Sequence, residues 1–338
     1  MQSKIKSDRL VWLDITITLL TLELMSYFYY GARSLALAVI CITVSLIAEI
    51  ISVRLMGRKF TADDLSCTSD ALIIALILPA VIRYRIAALA CLFAVIAAKN
   101  VFGGRTNMIF SPSAAAYIFV LTSWGRELLL YAEPHVRTGI LERPQEFVNS
   151  ASHTFNLTGK MNYTDFEILL GNFSGASGAV SILLLTVSAL ILMFRRDISA
   201  GAFIGTISGT ALFAYLTPMV SDRFDSVRYS LITNMVLFAG IYIVSDLRIA
   251  PKKNYYAFFY GFFIGIVSYV IVLTTAKENA IVIVSVLFTP IALMFKNIEK
   301  KIELAHIESQ YEEKVAVSVN ENASETESED KAEETENE

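Results

Sequence analysis

The stretch KNVFGGRTNMIFSPSAAAY, residues 99–117, decides the fold because it sets a polar turn with two adjacent glycines between two apolar segments. Bilayer hydrocarbon offers no partner for backbone N–H and C=O groups, so irregular chain at membrane depth persists only where protein or a ligand covers it. Gly103 and Gly104 let the backbone approach such a partner closely. The stretch therefore predicts a membrane protein with a covered turn.

The composition of the chain agrees with a membrane protein. Of its 338 residues, 55% are hydrophobic and 18% are charged, and the mean hydropathy is +0.55, values that exclude a soluble globular domain. The net charge of −4 hides a division, because residues 302–338 hold 13 acidic and two basic residues and leave the rest of the chain at +7. Neither part has the basic, aromatic-laced surface that binds nucleic acid, so no nucleic-acid partner is expected. No metal site is expected, because the three cysteines lack CxxC or metal-ligand spacing.

The apolar segments define the fold class. A membrane-spanning helix needs about 20 apolar residues, and on that measure the chain is an all-α polytopic protein with about ten transmembrane helices embedded in the lipid bilayer. The predicted spans are residues 11–30, 34–55, 68–82, 84–101, 112–131, 177–194, 199–218, 228–245, 255–274 and 279–296.

Charge asymmetry predicts the orientation of these spans. Outside the acidic tail, sixteen basic residues fall on the side of the N-terminus and ten on the other, so both termini are predicted to be cytoplasmic. Both halves end with a proline-containing apolar segment after a polar turn, which favours two five-helix repeats. The predicted domains are a first membrane repeat (1–131), an extracytoplasmic loop (132–176), a second repeat (177–301) and a disordered acidic cytoplasmic tail (302–338).

Residues 93–121, FAVIAAKNVFGGRTNMIFSPSAAAYIFVL, resemble the signature region of the D subunits (RnfD) of Rnf-type ion-translocating ferredoxin:NAD oxidoreductases and of the homologous B subunits (NqrB) of the sodium-pumping NADH:quinone oxidoreductases. In that family a span ending in Ala-Lys crosses a Gly-Gly turn to an Asn-Pro-Ala motif and a tyrosine-bearing span. The matching positions here are Lys99, Gly103–Gly104, Ser111–Ser113 and Tyr117, with Ser111 in place of the asparagine and Ser113 in place of the alanine. The resemblance extends over roughly residues 35–296.

The resemblance implies a role in a bacterial cytoplasmic (inner) membrane complex. It implies that the chain carries electrons through bound flavin, coupled to sodium or proton movement, with FMN and also riboflavin as candidate cofactors. The other subunits of such a complex and a flavin transferase are the implied partners. The chain lacks a GxGxxG fingerprint and an iron–sulfur cysteine set, so it is not a complete enzyme and no catalytic residue is predicted.

A covalent flavin site is predicted in the long loop. Members of the family typically carry FMN joined through its phosphate to the threonine of an Asp-x-Ser-x-Ala-Thr type motif. The nearest match is VNSASHT, residues 148–154, which places Thr154 at the acceptor position, lacks the aspartate and has His153 in place of the alanine. The alternative is an ordinary loop threonine.

The Gly-Gly turn is the second predicted cofactor contact. With the resemblance, Lys99, Gly103, Gly104 and Ser111 are predicted to contact a flavin, since a cation beside backbone amides suits an anionic flavin or its phosphate. Without it, the turn would be a tight helix connection with no ligand. A lysine near the end of a span also commonly reaches the lipid headgroups.

Carboxylates inside spans suggest an ion path, because ionisable groups in the membrane are costly. Glu23 lies near the middle of the first span and Asp246 at the end of the eighth, and these two are predicted to line the path. Glu49, Asp70 and Asp246 lie near span ends, where a carboxylate is expected to reach water or headgroups, and the alternative for Glu23 is an interface with a partner subunit.

Two other classes of function stay open. Repeats, broken spans and midplane carboxylates also occur in secondary transporters. The altered motif at Thr154 is also compatible with a scaffold paralogue that has lost its flavin. A flavin carrier would be yellow when purified, whereas a permease would be colourless and would move solute without an electron donor.

Overall fold

The computed structural model describes residues 8–104, 108–136, 139–142, 146–306 and 308–309. Over these ranges the chain is helical or irregular, and its strand-like pairing is limited to isolated bridges, which confirms the all-α class. The helices are α1 Asp8–Tyr30, α2 Ala32–Leu55, α3 Cys67–Ile77, α4 Tyr84–Leu92, α5 Pro112–Leu128, α6 Ala151–Thr158, α7 Asp165–Leu170, α8 Ile182–Arg195, α9 Ala200–Leu216, α10 Arg223–Ile232, α11 Val236–Ala239, α12 Asn254–Thr275, α13 Ala280–Leu287 and α14 Thr289–His306, with π-helices at Phe93–Asn100 and Gly240–Val244.

Helices occupy all ten predicted spans, but they differ in length. Within the described residues, α1, α2 and α12 are long and apolar enough to cross a membrane as single helices. Two further spans form if each of two interrupted pairs is counted as one: α10 with the helical segment Val236–Val244, bent by 58°, and α13 with α14. The polytopic membrane class is confirmed, and the remaining predicted spans consist of shorter helices.

The short helices end where the backbone turns away from helical geometry. Asn234 and Met235 both have positive φ, 58° and 56°, and they separate α10 from α11. Helix α3 stops at Ile77 because Pro79 disfavours helical geometry at the residue before it. The exposed backbone at this end is covered by protein, since the N–H of Gly178 donates to the carbonyl of Leu76 at 2.8 Å.

The two π-helices lie near the ends of the fourth and the eighth predicted spans. Phe93–Asn100 runs into the Gly103–Gly104 turn, and Gly240–Val244 runs into the turn that carries Asp246. π-Helical segments are rare and occur frequently at functional sites. The turns that follow the two π-helices are therefore candidate functional sites.

Helices α9 and α12 pack with their backbones in contact. A Cβ atom placed on Gly205 or Gly209 would overlap a backbone carbonyl of α12, and one placed on Gly261 or Gly265 would overlap a carbonyl of α9. Small residues four positions apart allow this approach of two helices in a membrane. The glycine spacing in both segments is the sequence signal for this contact.

The predicted extracytoplasmic loop contains two short helices. Ser150 caps α6 by accepting a hydrogen bond from the N–H of His153, and Thr164 and Glu167 form a capping box at the start of α7. Local capping chemistry therefore orders part of a segment predicted to be a loop.

Residues 1–293 and 294–338 form two separate compact units. Helix α14 continues to His306, past residue 302, where the predicted tail begins. Residues 302–306 (IELAH) are mostly good helix formers, which explains the continuation. Most of the remaining tail, including residues 310–338, lies outside the described residues.

Candidate functional site

A cavity of about 450 Å³ lies between the two halves of the first unit. Its size falls in the range of about 300–1,000 Å³ that is typical of small-molecule sites. Residues from both sides of the predicted loop 132–176 line it. The lining includes Trp12 and Ile15 of α1, Arg58, Asp63 and Asp64 after α2, Gly103, and Tyr242, Asp246 and Arg248 of the second half.

The glycine turn forms one edge of this cavity. The N–H of Gly103 donates to the carbonyl of Asn100 and the N–H of Gly104 to that of Lys99, both at 3.1 Å, so the turn closes directly on the π-helix. Gly103 has φ of 100° and Gly104 has φ of 78°. Residues with a Cβ are strained at such angles, which accounts for the glycine pair. Gly103 lines the cavity, and Gly104 is buried behind it.

Lys99 is paired with a carboxylate of another helix. Its Nζ lies 2.9 Å from Oε1 of Glu49, and the side chains of Lys99 and Glu49 are 2% and 0% exposed. Asn100 donates from Nδ2 to the other oxygen of Glu49 at 3.1 Å. The expectations that Lys99 reaches the headgroups and that Glu49 reaches water are therefore wrong, because the two groups neutralise each other in the interior. A flavin contact by Lys99 stays a prediction.

A second buried ion pair joins the two halves of the chain. Arg248 donates to both oxygens of Asp70 in α3, at 2.8 and 3.2 Å, and its Nε donates to both oxygens of Asp246. Such a forked geometry is specific to arginine. Asp70 is buried and paired, so the expectation that it reaches water is also wrong. Asp246 lines the cavity with its charge compensated, and its role in an ion path stays a prediction.

Two polar atoms of residues that line the cavity are buried and have no hydrogen-bond partner in the described part of the chain. They are the indole Nε1 of Trp12 and the hydroxyl of Ser66. Buried polar groups in native proteins are nearly always hydrogen-bonded, so unpartnered groups at a cavity indicate groups that a ligand satisfies. The rings of Trp12 and Tyr242 line a cavity of a volume that fits a planar heteroaromatic ring, and the Tyr242 hydroxyl itself lies toward Thr18 and Ser188.

Ser111 and Thr154 lie away from this lining. The hydroxyl of Ser111 is buried and lies 2.9 Å from that of Ser113 at the start of α5. Thr154 lies in α6, half-buried, and its Oγ1 donates to the carbonyl of Ser150 at 3.1 Å. The structure does not bring the four predicted turn residues and Thr154 into one site.

Glu23 is buried in α1 and forms no ion pair with the described residues. Its side chain is 4% exposed, and its Oε1 accepts no hydrogen bond there. It does not line the large cavity.

A further buried carboxylate, Glu278, was missed by sequence analysis. It lies in the connection between α12 and α13, just outside two predicted spans. The Tyr131 hydroxyl donates to its Oε1 at 2.5 Å, and the Ser150 hydroxyl bonds its other oxygen. Burial raises the pKa of the Glu278 carboxyl, although the bonds from Ser150 and Tyr131 act in the opposite direction. The signal for Glu278 in the sequence was its position as an acidic residue directly before an apolar segment.

The fold and this geometry define a polytopic all-α membrane protein whose two halves enclose a polar, partly aromatic cavity. The chain belongs to the NQR2, RnfD, RnfE family, whose model matches residues 1–300. It is similar to the D subunit of the Na(+)-translocating ferredoxin:NAD(+) oxidoreductase complex of Acetobacterium woodii, with 24% identity over 76% of this chain and 78% of that protein.

Two other relatives show the breadth of the family. The D subunit of the ion-translocating oxidoreductase complex of Ectopseudomonas mendocina is 24% identical over 66% of this chain and 70% of its own length. The B subunit of the Na(+)-translocating NADH-quinone reductase of Yersinia pestis is 26% identical over 58% of this chain and 49% of its own length. The resemblance drawn from residues 93–121 is thereby confirmed at the level of the family.

Proposed function

We propose that the chain is the membrane-embedded, flavin-carrying subunit of an Rnf-like complex in the bacterial cytoplasmic membrane. In this role it passes electrons between partner subunits while sodium or protons are moved. Family membership supports a place in an ion-translocating oxidoreductase complex. The cavity between the two halves is the observation that carries the flavin part of the proposal.

The cavity residues divide into two roles. Trp12 and Tyr242 supply aromatic surface, and the unpartnered indole N–H of Trp12 supplies a hydrogen bond to a ring heteroatom. Gly103 lets the main chain lie against the ring where a side chain would intrude. A bound flavin would supply the electron-accepting and electron-donating chemistry, and the protein supplies position and electrostatics.

The charges around the cavity favour a neutral guest. Arg58 and Arg248 lie with Asp63, Asp64 and Asp246 in the lining, and Arg248 is already shared between carboxylates. A flavin without a phosphate, riboflavin, suits such a wall better than a dianion. We therefore assign riboflavin to the cavity and covalent FMN to Thr154.

The test compares three variants in the complex purified with its partner subunits. Trp12→Phe removes the unpartnered indole N–H, Ile15→Trp fills the cavity, and Tyr269→Phe is the control, a buried tyrosine away from the lining. Acid denaturation releases noncovalent flavin, which is quantified by its absorbance. We expect the first two variants to lose released flavin and the control to retain it. Full retention in Ile15→Trp would contradict the assignment.

Covalent flavin is measured on the same material. After co-expression with a flavin transferase, a denaturing gel viewed under ultraviolet light reports attached FMN. The band is expected to vanish in Thr154→Val. A band that survives refutes Thr154 as the attachment site, and the absence of any flavin, released or attached, favours a scaffold or, if solute moves without an electron donor, a permease.

A further inference from the structure

Buried carboxylates in the described residues of the first unit fall into two groups. Those near the large cavity have basic partners: Glu49 has Lys99, and Asp70 and Asp246 share Arg248. Glu23 and Glu278 have no lysine or arginine partner among those residues. A buried charge without a counter-charge is strongly unfavourable, so such a carboxylate is either protonated or compensated by a cation that is not part of the chain.

Glu278 is the better placed of the two to hold an exchangeable cation. It is 3% exposed, and its two oxygens receive the hydroxyls of Tyr131 and Ser150. The turn that carries it is fixed by α6, because the carbonyl of Ala276 lies 3.1 Å from Nδ1 of His153 and accepts a hydrogen bond from Asn156 at 3.3 Å. The carboxylate is therefore held in place, although no basic side chain of the described residues pairs with it.

The next residue, Asn279, gives an independent sign of a ligand. An asparagine at the start of a helix normally caps it, but Asn279 makes no such bond with α13. It is 0% exposed, and its amide makes no well-formed hydrogen bond in the described part of the chain. The neighbouring polar group is the hydroxyl of Tyr117, which lies close to both Asn279 and Glu278. Oxygens of neutral groups thus lie beside a carboxylate that no lysine or arginine of the described residues pairs with.

A small void adjoins Glu278. Its volume is about 10 Å³, and Ser152, Gly175 and Thr233 line it together with the carboxylate. This is close to the roughly 10–15 Å³ that one water molecule requires. Hard monovalent and divalent cations of similar size prefer carboxylate, carbonyl and hydroxyl oxygens.

We propose that Glu278, Asn279, Tyr131 and Tyr117 form a binding site for a small hard monovalent cation, either sodium or a hydrated proton. Both species are stabilised by a carboxylate surrounded by neutral oxygens. The site joins the two halves, since Tyr117 belongs to α5 and Glu278 follows α12. Its use as the site of the transported ion rests on the function proposed above, whereas cation binding itself does not.

A line of buried polar groups on α1 leads from this site toward Glu23. Glu23, Ser26 and Tyr30 are spaced three and four residues apart and so share one face of the helix. The hydroxyl of Ser26 is buried and unpartnered in the described residues, and the Tyr30 hydroxyl bonds the carbonyl of Gly175, which lines the small void. This line connects the new site with the carboxylate predicted from sequence to lie on an ion path.

The pH dependence of the site has a definite sign. The titratable groups that face Glu278 are Tyr131, Tyr117 and His153. Because the pKa of Glu278 is raised in the folded protein, its contribution to stability is present at acidic pH and is lost as pH rises through the folded-state pKa. A cation that binds the ionised form restores that contribution.

The first experiment measures thermal unfolding of the full-length protein in detergent as a function of pH and of sodium, with choline keeping the ionic strength constant. The variant is Glu278→Gln, and the control is Glu133→Gln, an exposed glutamate two residues after Tyr131. We expect the wild type and the control to lose stability as pH rises and sodium to restore it, whereas Glu278→Gln responds to neither. A pH response without a sodium response assigns the proton.

The second experiment uses the wild-type protein alone, so it does not depend on a variant that folds. Dicyclohexylcarbodiimide reacts with protonated carboxyls in apolar surroundings, and peptide mass spectrometry locates the label. We expect labelling of Glu278 that falls with rising pH and that sodium, but not choline, suppresses. If Glu278 is unlabelled at every pH and Glu278→Gln behaves like the wild type, the site does not exist. Neither readout involves flavin, so these results are separable from those on the cavity.

Discussion

Removal of Lys99 tests how the glycine turn is held in the membrane interior. Lys99 and Glu49 lie 2.9 Å apart, and both side chains are almost fully buried. At an effective dielectric constant of about 20, two unit charges at this distance attract by about 6 kcal/mol. Desolvation of both groups offsets most of that attraction, but removing one partner leaves the other charge buried and unpaired, at a cost of about 3–5 kcal/mol. We expect Lys99→Met to destabilise the protein by that amount.

The assay is unfolding in mixed micelles titrated with sodium dodecyl sulfate, which gives the free energy of unfolding. Glu49→Gln retains an acceptor for Asn100 but leaves the ammonium group of Lys99 buried without a counter-charge. This variant is therefore also expected to lower the free energy of unfolding. The double variant Glu49→Gln/Lys99→Met carries no stranded charge and should be about 2–3 kcal/mol more stable than the sum of the single effects implies. Lys277→Met, at an exposed lysine, is the control. Two outcomes would refute the buried pair: additive effects of Glu49→Gln and Lys99→Met on the free energy of unfolding, or a Lys99→Met variant as stable as Lys277→Met.

Two further predictions use the same assay. Gly205→Ala places a methyl group against the carbonyl of Phe258 and should lower the free energy of unfolding by about 1–3 kcal/mol. The control is Gly125→Ala, whose added methyl group meets nothing within 4 Å and should leave the free energy of unfolding unchanged. Equal effects of the two variants would contradict the backbone contact between α9 and α12. Arg248→Gln should cost about 3 kcal/mol or more because Asp70 and Asp246 lose their shared cation. Arg228→Gln, at an exposed pair with Asp165, should cost at most about 1 kcal/mol. Similar losses in these two arginine variants would argue against the bridge between the halves.

The long helices could be predicted from sequence because each satisfies its own backbone. The predicted spans 34–55 and 255–274 form α2 and α12, with boundaries shifted by at most two residues. The segment 228–245 is predicted as one span, yet it breaks at Asn234 and Met235. Neither is a glycine or proline, so local sequence carries no signal for a break that tertiary packing imposes.

The candidate sites were only partly predictable for a related reason. Gly103 and Asp246 were selected separately, and the structure places both in the lining of one cavity. The pairing of Lys99 with Glu49 and the position of Glu278 depend on contacts between helices that are distant in sequence. Single-sequence patterns report periodicity along one helix, but they do not report which faces of different helices meet.

The direct backbone contact between α9 and α12 has a consequence for how the protein moves. Two helices whose backbones touch cannot slide past each other without a steric clash, so α9 and α12 are expected to move as one rigid body. Any conformational change must then occur in other segments, where the backbone can depart from helical geometry. The junction at Asn234 and Met235, next to the void beside Glu278, is a break in helical geometry of this kind.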